Sequence, residues 1–253
     1  MASFTGKTVV ITGAGSGIGR ATAVRLAKAG AILALSDIST DNLSDTLRLC
    51  DEVSSTLQNE HLIQRVDVRS TEEVGKFVQN VVSKYVTINH VFNCAGINPT
   101  KMDIEQVSDE YWHKMIDTNI KGVFSMMRAC VPHMKNGSSF VNVSSVCGLN
   151  PYAGIGVYCA TKYAVIGLSK SMALELGPRG IRVNVICPGA ISTPTNNSVR
   201  QGPAKMQAAA ESVALGRMGT PEECADVVAF LFSDEARYMN GSVLEIDGGM
   251  GMP

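Results

Sequence analysis

The chain has almost no net charge: 22 basic against 23 acidic side chains among 253 residues, a formal −1. Without a surplus of positive charge, there is no electrostatic case for nucleic acid or an anionic membrane as partner. No apolar run reaches the roughly 20 residues that a membrane-spanning helix needs. The opening Met1-Ala2-Ser3-Phe4-Thr5-Gly6-Lys7 lacks the apolar centre of a secretory signal. The closing Gly251-Met252-Pro253 matches no retention, peroxisomal or prenylation signal, so a cytoplasmic location is expected. The seven cysteines (50, 94, 130, 147, 159, 187 and 224) form no CxxC pair and fall in apolar stretches, which reads as reduced, buried thiols. The four histidines (61, 90, 113 and 133) share no metal-binding spacing, and no metal site is expected.

What the chain does have is alternation. Short β-branched runs at Thr8–Thr12, Ile32–Ser36, Leu62–Val66, His90–Asn93, Phe140–Val143, Arg182–Ile186 and Val243–Ile246 are separated by helical patterns. These lie near 17–29, 41–57, 71–85, 108–134, 156–177 and 221–233. Apolar strands bounded by helices predict an α/β fold: a doubly wound, Rossmann-type parallel sheet of seven strands with helices on both faces. No repeat or linker interrupts 1–253, which predicts a single domain. One segment breaks the rhythm: 189–211, rich in Pro, Asn, Ser, Gly and Ala, follows a predicted strand on the side where such folds bind ligands. It reads either as a lid over a substrate or as a plain surface excursion.

The first strand runs into Thr12-Gly13-Ala14-Gly15-Ser16-Gly17-Ile18-Gly19 and then a helix. Glycines allow a tight turn and let the backbone approach a pyrophosphate resting on the helix N-terminus. The second strand ends at Asp37, eighteen residues beyond Gly19. A carboxylate there accepts hydrogen bonds from ribose hydroxyls and repels a 2′-phosphate, and neither Ser16 nor Ile38 offers a compensating cation. NAD is therefore favoured over NADP.

Tyr158 and Lys162 stand one helical turn apart, with Ser145 thirteen residues before the tyrosine. A cation about 4 Å from a phenol, at an effective dielectric near ~20, is worth roughly 4 kcal/mol, or about three pK units. That shift would bring the phenol toward working pH as an acid–base catalyst.

Taken together, Thr12–Gly19, Asp67-Val68, Asn93-Cys94-Ala95-Gly96, Asn119 in Asn-Ile-Lys-Gly, Asn142-Val143-Ser144-Ser145, Tyr158 with Lys162, and Cys187-Pro188-Gly189 leading to Thr193 resemble the short-chain dehydrogenase/reductase family. The resemblance covers essentially the whole chain, in the single-domain branch. It departs only at Cys94, where the family more often has asparagine. It implies that Tyr158 exchanges a proton with the substrate oxygen, Ser145 hydrogen-bonds that oxygen, and Lys162 lowers the tyrosine pKa and holds the nicotinamide ribose. Asn119 is implied to interrupt its helix and anchor a water in a proton relay. For the cofactor it implies contacts from Gly13, Gly15, Ser16, Gly17, Ile18, Gly19, Asp37 and Ile38, with Asp67 and Val68 bracketing the adenine. Asn93, Ala95 and Gly96 would line the adenosine side, and Pro188, Gly189, Ile191 and Thr193 would stand near the carboxamide. Ser144 is assigned to support.

Helix 156–177 carries Ala160, Ala164, Gly167, Ser171 and Ala173. This small-residue stripe suits either packing within the monomer or, as the resemblance implies, packing between subunits of a homotetramer. Cys147 and Cys159, beside Ser145 and Tyr158, read either as oxidation-sensitive thiols or as small apolar filler. The expected substrate pocket (Ile97, Asn98, Met102, Cys147, Leu149, Tyr152, Ile155, Met206 and Gln207) is apolar with few polar anchors, which suits a neutral, moderately hydrophobic alcohol or ketone. Three readings follow: an NAD-dependent oxidoreductase interconverting a secondary alcohol and a ketone, an NADPH-dependent 3-oxoacyl-thioester reductase, and a non-catalytic binding protein on the same fold. The presence of Asn119, Ser145, Tyr158 and Lys162 favours catalysis, and Asp37 favours the first reading.

Overall fold

A computed structural model describes residues 3–54, 61–194 and 203–250. Seven strands form where the β-branched runs lie: β1 (Thr8–Thr12), β2 (Ile32–Asp37), β3 (Leu62–Arg65), β4 (His90–Asn93), β5 (Ser139–Val143), β6 (Arg182–Pro188) and β7 (Val243–Ile246). All pair in parallel, in the order β3-β2-β1-β4-β5-β6-β7. Every residue of β1 is buried, because helices cover both faces of the sheet; this is why the run Val9-Val10-Ile11 is continuously apolar rather than alternating. From β1 the chain moves outward through β2 and β3, then returns to β4 on the other side of β1. That reversal opens a crevice beyond the carboxyl ends of β1 and β4.

One face of the sheet packs α1 (Gly17–Ala27), α2 (Thr40–Val53) and α8 (Pro221–Phe232) through residues such as Leu26, Leu43 and Val228. The other packs α3 (Thr71–Tyr85), α5 (Gly122–Cys130) and α6 (Gly156–Leu176) through Phe77, Met126 and Val165. Serine and threonine cap three of these helices: Ser39 accepts from the Asn42 N–H and Ser70 from that of Glu73, while Thr220 and Glu223 form a reciprocal capping box. No helix among the described residues is long and apolar enough to cross a membrane.

The structure departs from the periodicity in two places. The helix expected over 108–134 is divided into α4 (Asp109–Ile116), a π-turn at Asp117–Lys121, and α5. The turn itself, Asp117-Thr118-Asn119-Ile120-Lys121, is mostly polar and falls where the family resemblance implied an interruption at Asn119; its cause is a long-range side-chain clamp by Asn119, described below. The 189–211 segment contains a helix, α7 (Pro203–Glu211), whose alanines favour helix without marking an apolar face. Of the expected lid, residues 195–202 lie outside the described residues, as do 55–57 of the helix expected over 41–57.

At the sheet edge away from the crevice, His90 opens β4 and is almost fully buried. Its ring stacks on Phe232 at 4.8 Å, meets Phe4 edge-on at 5.8 Å, and shares a 2.9 Å hydrogen bond with Ser139 Oγ through Nδ1. Burial, with Arg182 and Lys7 adding repulsion, pushes its pKa down to about 3. An unfolded histidine titrates near ~6.5, so the unfolded chain binds the extra proton first and stability falls as pH drops from about 6.5 toward 3. At pH 4 the loss from this group is on the order of 3 kcal/mol. In urea unfolding at pH 4, 5 and 7, His90→Phe is expected to flatten this acid slope, at a cost of about 1 kcal/mol at neutrality for the orphaned Ser139 hydroxyl. An acid slope equal to the parent's would refute the assignment.

Candidate active site

The crevice is a cleft of about 780 Å³ running across the carboxyl ends of the strands. Its floor begins at the turn after β1. Gly13 has φ +66°, and a Cβ there would stand 2.8 Å from the Ala95 backbone. A Cβ on Gly19 would collide with the Gly13 carbonyl, and one on Gly15 would press on the Asp37 carboxylate at 2.8 Å. Thr12 ties this turn to the next strand end, its Oγ1 accepting from the N–H groups of Cys94 and Ala95, each at 3.1 Å. A cradle that side chains would fill, at the N-terminus of α1, fits a dinucleotide pyrophosphate.

Asp37, at the end of β2, faces the same cleft. Its carboxylate accepts from Gly15 N (2.9 Å) and Ser39 N (3.0 Å), which fixes its orientation. Arg20 is turned behind the turn, donating to Gly15 O and to Thr46 Oγ1. Farther along, Asp67 is paired with Arg69 at 2.6 Å, and that hydrogen bond holds its carboxyl below the usual carboxylate range. Ser16, Gly17, Ile18, Ile38, Val68, Ala95, Gly96, Pro188, Gly189, Ile191 and Thr193 also line the cleft.

The opposite part of the cleft gathers Ser145, Tyr158 and Lys162. Ser145 follows β5 and starts a short 3-10 turn, its Oγ accepting from Cys147 N at 3.1 Å. Tyr158 and Lys162 sit on the first turns of α6, 8 % and 5 % exposed. The lysine Nζ donates to Val143 O at 3.1 Å and lies over the tyrosine ring, 5.6 Å from its centroid. Burial outweighs the lowering of the phenol pKa expected from this ammonium. Burial raises the Tyr158 pKa, opposed by a hydrogen bond from Ser145, and burial pushes Lys162 down to about 8. Burial also raises the Cys147 thiol, while Cys159 is buried, so the structure favours apolar filler over reactive thiols.

Asn119, buried in the π-turn, clamps the backbone of Ile97: Oδ1 accepts from Ile97 N (2.8 Å) and Nδ2 donates to Ile97 O (3.0 Å). It thereby positions the wall after Gly96, and a Cβ at Gly96 would meet Asn119 Oδ1 at 3.2 Å and Lys162 Nζ at 3.7 Å. Ser144 donates to Lys162 O at 2.8 Å, bracing α6 against the end of β5, the support role expected of it. Asn93 differs from its expectation. Its side chain is turned into the sheet, donating to Asn142 Oδ1 at 2.8 Å, and Asn142 in turn donates to Ser169. Cys94, Ala95 and Gly96 line the cleft in its place.

Of the expected pocket residues, Ile97, Asn98, Cys147, Tyr152 and Ile155 line the cleft; Leu149, Met206 and Gln207 do not, and Met102 faces a neighbouring recess. Pro99, Lys101, Ala153 and Met250 line it without a sequence signal that would have singled them out. Their places depend on loops folding back from distant strands.

Residues 13–251 match the family described as enoyl-(acyl carrier protein) reductase. A 3-oxoacyl-[acyl-carrier-protein] reductase from Thermotoga maritima is 40% identical over 97% of this chain and 98% of its own. A cyclohexanol dehydrogenase from an Acinetobacter species is 38% identical over 97% of this chain and 95% of its own. The crystal structure of carveol dehydrogenase from Mycobacterium avium in complex with NAD superposes with a TM-score of 0.90 at 31% identity, covering 98% of this chain and 99% of that one. With the parallel sheet, the glycine cradle and the Ser145–Tyr158–Lys162 cluster in one cleft, the chain belongs to the short-chain dehydrogenase/reductase family of nicotinamide-dependent oxidoreductases.

Proposed function

We infer that the protein is an NAD-dependent oxidoreductase that interconverts a secondary alcohol and a ketone, with Tyr158 as acid/base. The observation that carries this reading is the convergence of Ser145, Tyr158 and Lys162 on a cleft whose other end presents Asp37. Bound NAD would supply the hydride acceptor for the carbinol carbon. The chain's own groups handle the oxygen: its proton passes to Tyr158, and Ser145 hydrogen-bonds it and fixes its position. Lys162 holds ribose hydroxyls, and Asn119 positions the Gly96–Ile97 wall and supports a relay of the proton outward. Gly13, Gly15, Ser16, Gly17, Ile18 and Gly19 cradle the pyrophosphate. Asp37 takes the adenosine ribose, and Ile38, Asp67 and Val68 surround the adenine. Ala95 and Gly96 lie along the adenosine side with Asn93 behind them, and Pro188, Gly189, Ile191 and Thr193 meet the carboxamide. The NAD-bound carveol dehydrogenase supports this cofactor, and the cyclohexanol dehydrogenase supports a neutral alcohol as substrate. A panel of secondary alcohols with NAD, followed at the reduced-nicotinamide band, tests the reading; absence of turnover throughout would overturn it.

The 40% identical acyl-carrier-protein reductase favours a second reading, NADPH-dependent reduction of a 3-oxoacyl thioester. The fixed Asp37 carboxylate argues against it, because it stands where a 2′-phosphate would be repelled. A 3-oxoacyl thioester reduced with NADPH faster than any alcohol is oxidised with NAD would establish the second reading in place of the first.

We read the chain as one domain, located in the cytoplasm, with 189–211 over the substrate end of the cleft and a homotetramer as the working form. Ala160, Ala164, Gly167 and Ser171 lie on the outward side of α6, free to meet a second copy, whereas Ala173 is buried in the monomer core. Sedimentation at micromolar concentration is expected to give four times the 26.9 kDa chain mass. A monomer would refute the assembly.

A further inference from the structure

Beside the cleft lies a second cavity, of about 180 Å³. Tyr152, Ala153 and Ile155 line both and form one part of the wall between them. The other partition is the extended segment after Asn98, where alternate residues face opposite ways. Pro99 and Lys101 line the cleft, while Thr100 and Met102 line the recess. Two hydrogen bonds fix this partition: Met102 N donates to Gly154 O at 2.9 Å, and Thr100 N donates to the Tyr111 hydroxyl at 3.1 Å. The same bonds occupy backbone donors that a polar substituent could otherwise use. What remains is mostly apolar, with Ile104 and Val107 completing the wall and Ile104 78 % exposed at the rim. Apolar surface left open beside a reacting site is what an apolar part of a substrate would cover.

We propose that this recess is a subsite for the distal apolar portion of the substrate. The substrate is then a secondary alcohol or ketone carrying an alkyl or alicyclic extension that reaches past Tyr152 and Ile155, away from Ser145 and Tyr158. At roughly 30 Å³ per water-sized group, the cavity holds about six non-hydrogen atoms. The inference rests on the alcohol-oxidising reading above, which places the reacting oxygen at Tyr158.

The test is a homologous series of 2-alkanols of increasing chain length with NAD. Each methylene that enters the recess is expected to raise kcat/KM about three- to fourfold. The rise levels off after about six carbons beyond the point of entry. Thr100→Phe fills the recess and is expected to collapse the long-to-short ratio of kcat/KM by about 100-fold or more. Met102→Ala enlarges it and moves the plateau to longer chains. The same series is read by ligand-induced thermal shift, which requires no turnover. If shifts grow with chain length and Thr100→Phe abolishes the growth while no alcohol is oxidised, the subsite stands and the alcohol-oxidising reading falls. If short alcohols are oxidised but neither kcat/KM nor thermal shift depends on chain length, or if both variants keep the parent's dependence, the subsite is overturned and the reading stands.

Discussion

Tyr158→Phe is expected to lower kcat with a secondary alcohol by about a thousandfold and to leave the dissociation constant for NAD within about twofold. The ring stays: it is buried against Met115 and Val157, and phenylalanine fills the same volume. Only the hydroxyl is removed, and with it the group that the proposed function assigns to the proton on the substrate oxygen. Binding is spared because the cradle and Asp37 lie elsewhere in the cleft. Isothermal titration with NAD and stopped-flow turnover separate the two effects. Turnover within tenfold of the parent would sink the role of Tyr158. The local electrostatics make the tyrosine more dependent on its setting than spacing suggests. Burial raises its pKa, and Lys162, with Nζ 5.6 Å from the ring centroid, has its own pKa pushed down to about 8. Ser145 is the side chain whose hydrogen bond works in the opposite direction.

The second large effect concerns cofactor choice. Asp37→Ala is expected to narrow the NAD-to-NADP ratio of kcat/KM by about 10- to 100-fold, since a hydrogen bond to a charged group contributes roughly 1.5–3 kcal/mol. The carboxylate already accepts from Gly15 N and Ser39 N, yet an ionised carboxylate has about four acceptor sites, which leaves room for ribose hydroxyls. Alanine removes the charge and also the two turn contacts, so Asp37→Asn is the control: it keeps an acceptor for the turn and loses only the repulsion of a 2′-phosphate. A change in ratio with both substitutions assigns the preference to charge. An unchanged ratio with both removes Asp37 from cofactor selection. Arg20 does not substitute as a phosphate partner while it holds Gly15 O and Thr46.

The sheet was legible in the sequence because parallel strands buried on both faces leave continuous apolar runs: β1, β4 and β7 match their expected limits, and the other four shift by one or two residues at an end. The glycine turn, Asp37, Ser145, Tyr158 and Lys162 were legible because each is set by local spacing. What escaped was set by contacts distant in sequence. The break at Asn119 was implied by the resemblance, but its cause, the clamp on Ile97 22 residues away, was not, and Asn93 answers to Asn142 on the neighbouring strand, 49 residues away. The recess behind Thr100 and Met102 depends on a loop meeting the segment before α6, and no periodicity in either stretch reports that meeting.

A parallel sheet gives the molecule two poles. Every strand ends on the cleft side of the sheet and begins on the opposite rim, so β4 has Asn93 at one end and His90 at the other. Acid therefore attacks this protein from the rear. When pH falls through 5 and 4, the imidazole held neutral between Phe4 and Phe232 takes up its proton only on unfolding, and this draws the chain toward the unfolded state. Acid inactivation would then report collapse of the frame rather than titration of the catalyst, and a stabilised rear pole would extend the working range of an unaltered active site.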